Sequence, residues 1–143
     1  MNEKFIQNLN KLPADVRREF ALLANRYGEK KKETNIQNDF LSFVKHVWPD
    51  FIEGSHHKRI ADKFNKLASG EIKRLIINMP PRHTKSEFGS YLLPAWMVGK
   101  NPKLKIIQST NTTELSVRFG RKAKALIDSP EYQQVFKTKL RED

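Results

Sequence analysis

The residue types best suited to chemistry meet at Lys85-Ser86, which stands between an isoleucine-rich run, Arg74 to Met79, and a segment of helical character, Ser86 to Met97. A loop that cradles phosphate needs converging backbone N–H groups, a helix N-terminus behind them, and a Lys-Ser or Lys-Thr pair. The lysine then meets the β and γ phosphates, and the hydroxyl helps to hold magnesium. Against the pattern G-x-x-x-x-G-K-[ST], Met79 occupies the place of the first glycine and Thr84 that of the second. The same residues also fit a plain strand-to-helix turn, with Pro80 and Pro81 stiffening the exit, Thr84 capping the helix and Lys85 in water.

The elements that would position this loop follow from periodicity and punctuation. Residues 2–12 and 13–27 read as helices, the second opening on Pro13 and stopping at Gly28. The run from Gly28 to Glu33 has no apolar residue and is expected to be a charged linker. Phe40, Leu41, Phe43, Val44, Val47 and Trp48 recur at helical spacing before Pro49, and a second core helix is expected from Ser55 to Gly70. Arg74 to Met79 and Leu104 to Ser109 read as strands. Between them Pro94 should kink or end a helix. Asn111 with Glu114 predicts a capping-box start for a helix whose apolar face is Leu115, Phe119, Ala123 and Leu126. Strand, loop, helix, strand, helix is the order of a parallel βαβ unit, whose ligand site lies at the carboxyl ends of the strands. The expected fold class is therefore α/β, a parallel sheet preceded by an α-helical N-terminal region. Trp48 and Trp96, beside prolines in apolar stretches, are read as core rather than as stacking platforms.

Composition narrows the function classes. In 143 residues there are 27 Lys and Arg against 16 Asp and Glu, a formal charge of +11, and no cysteine. The excess concentrates between residues 71 and 128, with eleven basic and four acidic side chains. Such a segment attracts DNA, RNA or nucleotide phosphates, and also describes a solubilising surface. Disulfides and cysteine-based zinc sites are excluded. No apolar run approaches the ~20 residues of a membrane span. Nothing at the start resembles a secretory signal, and a reducing, intracellular setting is expected.

From Phe40 to Phe136 the sequence resembles the large terminase subunit of tailed bacteriophages, the ATP-driven motor and nuclease that packages viral DNA. The likeness is carried by Phe43-Val44-Lys45, Trp48-Pro49-Asp50-Phe51, His56-His57, Gly70 to Leu75, Met79-Pro80-Pro81-Arg82-His83, Lys85-Ser86-Glu87, Pro94-Ala95-Trp96, Phe119-Gly120-Arg121 and Ser129-Pro130-Glu131-Tyr132. The resemblance implies an incomplete P-loop NTPase with a deviant Walker A loop that dispenses with the first glycine. Residues 1–35 would be a helical extension and charged linker, and 36–143 the amino-terminal part of the ATPase domain.

By resemblance, Pro81, Arg82, His83, Thr84, Lys85 and Ser86 would bind ATP, with Lys85 on the phosphates, Ser86 on Mg2+ and Arg82 near the γ-phosphate. Arg82 and Lys85 would be the catalytic residues. His57 would lie near the adenine. Thr84 departs from the family's glycine, and a positive φ there would strain a β-branched residue by ~1–2 kcal/mol. Arg118, Arg121, Lys122 and Lys124 would suit a DNA backbone, although a solvated basic helix face explains them equally well. The implied partners are double-stranded viral DNA, the portal protein and the small terminase subunit, in the host-cell cytoplasm. A Walker B strand and nuclease carboxylates are not found after Leu126, so binding without turnover is expected, with a second chain as one source of the rest. The alternatives are a non-catalytic DNA- or protein-binding module on the same scaffold, and another P-loop ATPase such as a helicase or small kinase.

Overall fold

A computed structural model describes residues 12–138 and 140. The expected first helix, residues 2–12, lies outside the described residues except for Leu12. The chain divides into two units, Met1–Thr34 and Asn35–Asp143. The described elements are helices: α1 (Ala14–Asn38), α2 (Phe40–Val47), α3 (Ser55–Ala68), α4 (Lys85–Glu87), a π-helical turn (Phe88–Leu92), α5 (Leu93–Lys100), α6 (Thr113–Ile127) and α7 (Pro130–Val135).

No strand pairs with another among the described residues, which corrects the expected α/β class with its parallel sheet and βαβ unit. The two isoleucine-rich runs form neither helix nor strand and lack the lateral hydrogen bonds of a sheet. Alternation survives in the first run, where Leu75, Ile77 and Met79 are partly buried against the core and Ile76 is 87% exposed. The second run stays in solvent, with Ile107 97% exposed. β-branched composition therefore does not by itself produce a strand, because pairing is a tertiary property.

In the first unit, α1 runs through Gly28 and the charged stretch expected to be a linker. Lysine and glutamate are strong helix formers, and one interior glycine costs only ~1 kcal/mol, too little to stop the element. No helix among the described residues is long and apolar enough to cross a membrane.

The second unit is built around α2. Asp39 caps it, one carboxylate oxygen accepting from the Ser42 N–H and the other from Asn65 Nδ2, both at 2.8 Å. Asn65 Oδ1 in turn accepts the Phe40 N–H at 2.8 Å, so one carboxylate and one amide lock the start of α2 to α3. Burial pushes Asp39 up, but the Ser42 and Asn65 hydrogen bonds and the Lys45 charge outweigh it and hold the carboxyl below its usual range.

From that anchor Phe40 faces Phe64, Phe88 and Trp96 edge-on, at centroid distances of 5.0, 5.3 and 5.5 Å. Edge-to-face rings add to area burial. Trp96 is fully buried, as expected of a core residue, and its Nε1–H donates to the Ile36 carbonyl at 3.3 Å. Pro94 does not end the helical run from Lys85 to Lys100. It sits in the first turn of α5 directly after the π-helical turn, which absorbs its missing N–H. The cap of α6 is Thr112, accepting the Leu115 N–H at 3.3 Å, one residue beyond the expected Asn111. Tyr132 on α7 and Phe136 just after it close the core over Phe43.

Candidate phosphate-binding turn

Chain leaving Met79 passes through Pro80 to Thr84 and enters α4 at Lys85. Two non-glycine residues of this turn are left-handed, Arg82 at φ +65° and Thr84 at φ +57°. The strained position at Thr84 is the one where the phosphate-loop pattern has its second glycine. A left-handed β-branched residue costs ~1–2 kcal/mol, so the surrounding contacts must hold it there.

Those contacts run through His57. The Gly54 N–H donates to His57 Nδ1 at 2.9 Å, which leaves the proton on Nε2. Nε2–H donates to Thr84 Oγ1 at 2.7 Å, and that hydroxyl donates to the His83 carbonyl at 2.7 Å. His83 Nδ1–H donates to the Pro81 carbonyl at 2.9 Å, fixing the turn from within. His57 is 6% exposed, packed against the rings of Phe51 at 4.8 Å and Phe88 at 5.2 Å. Burial first, and then the neighbouring His56, push its pKa down; Glu53 pulls upward and His83, the smallest effect, pushes down again.

The sequence-expected residues divide accordingly. Pro81, Arg82, His83, Lys85 and Ser86 are all exposed along the turn and the start of α4. None of the backbone N–H groups of His83, Thr84, Lys85 and Ser86 finds an acceptor among the described residues. Four unsatisfied amides, an ammonium and a hydroxyl at one helix entrance make an arrangement that can take an anion. His57 has both ring nitrogens committed inside the protein. His56, at 3.8 Å from it, has its Nε2 buried without a partner. Among the described residues no group of three or more His, Cys, Asp or Glu could hold a metal ion, and the carboxylate next to Ser86, Glu87, is paired with Lys122.

The basic residues of α6 also divide. Arg118, Arg121 and Lys122 line one shallow cleft of about 540 Å³ together with Thr113, Glu114 and Val117. Lys124, exposed, is not among the residues of that cleft. Lys122 is engaged by Glu87 at 3.7 Å, and its ammonium lies 5.1 Å from the Tyr91 ring centroid. The Glu87–Lys122 pair leaves no signal in the sequence, whereas a positive φ at Thr84 is the strain expected of a phosphate loop that lacks its second glycine. No protein-family model, curated protein or solved structure matches the chain.

Proposed function

We propose that the turn Pro80–Ser86 binds the phosphates of ATP with Mg2+, and that the chain serves a DNA-packaging motor of the large-terminase type that its sequence resembles. The observation that carries this reading is Thr84. A β-branched residue is held left-handed at the pattern's glycine position, immediately before an exposed lysine and serine. Strain of that kind persists only where surrounding structure over-determines it.

In this reading the free amides of His83 to Ser86 and the Lys85 ammonium neutralise phosphate charge, and Arg82 reaches the terminal phosphate. The residues present fit a triphosphate. For magnesium they supply the Ser86 hydroxyl, so phosphate oxygens and water would fill most of the coordination sphere. The nucleotide supplies the cleavable bond. No apolar run closed by acidic residues follows Leu126 in the sequence, so binding with little turnover is the expected behaviour of this chain. Viral double-stranded DNA would lie along Arg118 and Arg121, with the portal protein and small terminase subunit as partners in the host cytoplasm.

A second reading is a non-catalytic module that binds DNA or protein through the α6 cleft, favoured by the side-by-side exposure of Arg118 and Arg121. Calorimetric titration with Mg-ATP and with duplex DNA, in the native chain and in Lys85→Ala, separates the two. Loss of ATP binding in the variant supports the first. DNA binding with no ATP binding in either protein supports the second.

A further inference from the structure

We infer that His57 is a positioning residue for the nucleotide: its neutral ring, braced by Gly54, holds Thr84 left-handed and so keeps the amides of the turn aimed at phosphate. The inference rests on reading Pro80–Ser86 as the phosphate site and assigns to that site a support from a different helix.

The geometry leaves the ring little choice. Nδ1 accepts from the Gly54 N–H at the entrance of α3, and Nε2–H donates to Thr84 Oγ1 twenty-seven residues further on. The flanking rings of Phe51 and Phe88 restrict rotation about the side-chain axis. The Thr84 hydroxyl accepts from His57 and donates to the His83 carbonyl, so its rotamer is fixed at both ends. Without the imidazole, nothing else among the described residues bonds to that hydroxyl from outside the turn.

Only the neutral form satisfies this arrangement. A proton added to Nδ1 would point at the Gly54 N–H, donor against donor, and the ring would have to leave one of its two partners. The ionisable groups that face it are His56 on its own helix, His83 on the turn and Glu53 on the segment before α3. The rings of His56 and His83 stand 5.7 Å apart. Glu53 is already paired with Lys45 and Lys58. Acidification should therefore loosen the turn rather than tighten it.

The test is fluorescent Mg-ATP-analogue affinity at pH 7.5 and pH 5.0 in the native chain, His57→Phe and His57→Gln, read beside ¹⁵N ring spectra of His57. His57→Phe keeps the bulk and loses both hydrogen bonds, and should weaken binding at pH 7.5 about five- to tenfold. His57→Gln restores a donor near Nε2 without titrating, and should recover most of that loss and flatten the extra pH dependence of the native chain. The nucleotide's own protonation is common to all three and cancels in the comparison. Equal affinity in His57→Phe and the native chain, or an unchanged pH profile in His57→Gln, overturns the inference. If the native chain binds no nucleotide at pH 7.5, the phosphate-site reading fails on its own. The ring spectra then decide whether His57 holds Thr84: a neutral Nε2–H tautomer whose loss moves the Thr84 amide supports that role, and any other tautomer overturns it.

Discussion

Glu87 and Lys122 form an ion pair at 3.7 Å that joins the helical turn after Ser86 to the helix carrying Arg118 and Arg121. Both side chains are about one-third exposed, so the pair itself is worth less than ~1 kcal/mol and should fade with salt. Lys122 also covers the Tyr91 ring, a contact worth ~0.5–1 kcal/mol. Urea unfolding should therefore show a loss of about 1 kcal/mol in Lys122→Ala and a smaller one in Glu87→Gln. Only the second should vanish in high salt.

Thr84 offers two substitutions that separate its strain from its hydrogen bond. Thr84→Gly removes the left-handed strain together with the hydroxyl, and the two effects should cancel to within ~1 kcal/mol. Thr84→Val keeps the strain and orphans the buried His57 Nε2–H, at a cost of ~1–3 kcal/mol. Thermal unfolding of the two variants side by side checks the ordering. A glycine variant less stable than the valine variant would contradict the left-handed assignment.

Glu53 gives a pH-dependent term. Hydrogen bonds from Lys45 and from Lys58 depress its carboxyl from 4.5 to about 2. A carboxyl depressed on folding contributes stability that is fully present above its unfolded value and is lost as pH falls toward its folded one. Acid unfolding should therefore show a contribution that fades from about pH 4.5 to about pH 2, in the same window as the depression. Glu53→Gln should abolish that part of the slope and leave the rest.

The packing of α5 on α7 depends on an absent methyl group. A Cβ at Gly99 would stand 2.6 Å from Phe136 Cγ and 2.7 Å from Tyr132 Oη. Both rings are buried, and the Tyr132 hydroxyl donates to the Ala95 carbonyl at 2.8 Å, so neither yields cheaply. Burial raises that phenol to about 12, which keeps it a donor at every ordinary pH. Gly99→Ala should cost ~1–3 kcal/mol by overpacking, and Tyr132→Phe ~1 kcal/mol by losing the buried hydrogen bond to the Ala95 carbonyl, both measured by denaturant titration.

What could be read in the sequence was local. The spacing of Phe40, Phe43 and Val44 and the burial of Trp96 follow from periodicity and neighbouring prolines, and both hold. Gly28 misled because a glycine signals a helix end only when tertiary contacts agree, and the surrounding lysines and glutamates favour continuation. Ile76 and Ile107 misled more deeply. Their residue types favour extended backbone, but a sheet is made by a neighbour, and neither segment has one. At the turn, Lys85, Ser86 and Arg82 were legible as types, whereas the His57–Thr84 bridge depends on two elements meeting and leaves no spacing signal.

The most direct check of the phosphate-binding turn is an amide NMR titration of the full chain with Mg-ATP. The account expects the largest shifts at His83, Thr84, Lys85 and Ser86, saturating with nucleotide and absent in Lys85→Ala. Saturable shifts confined to α6, or none at all, would contradict it.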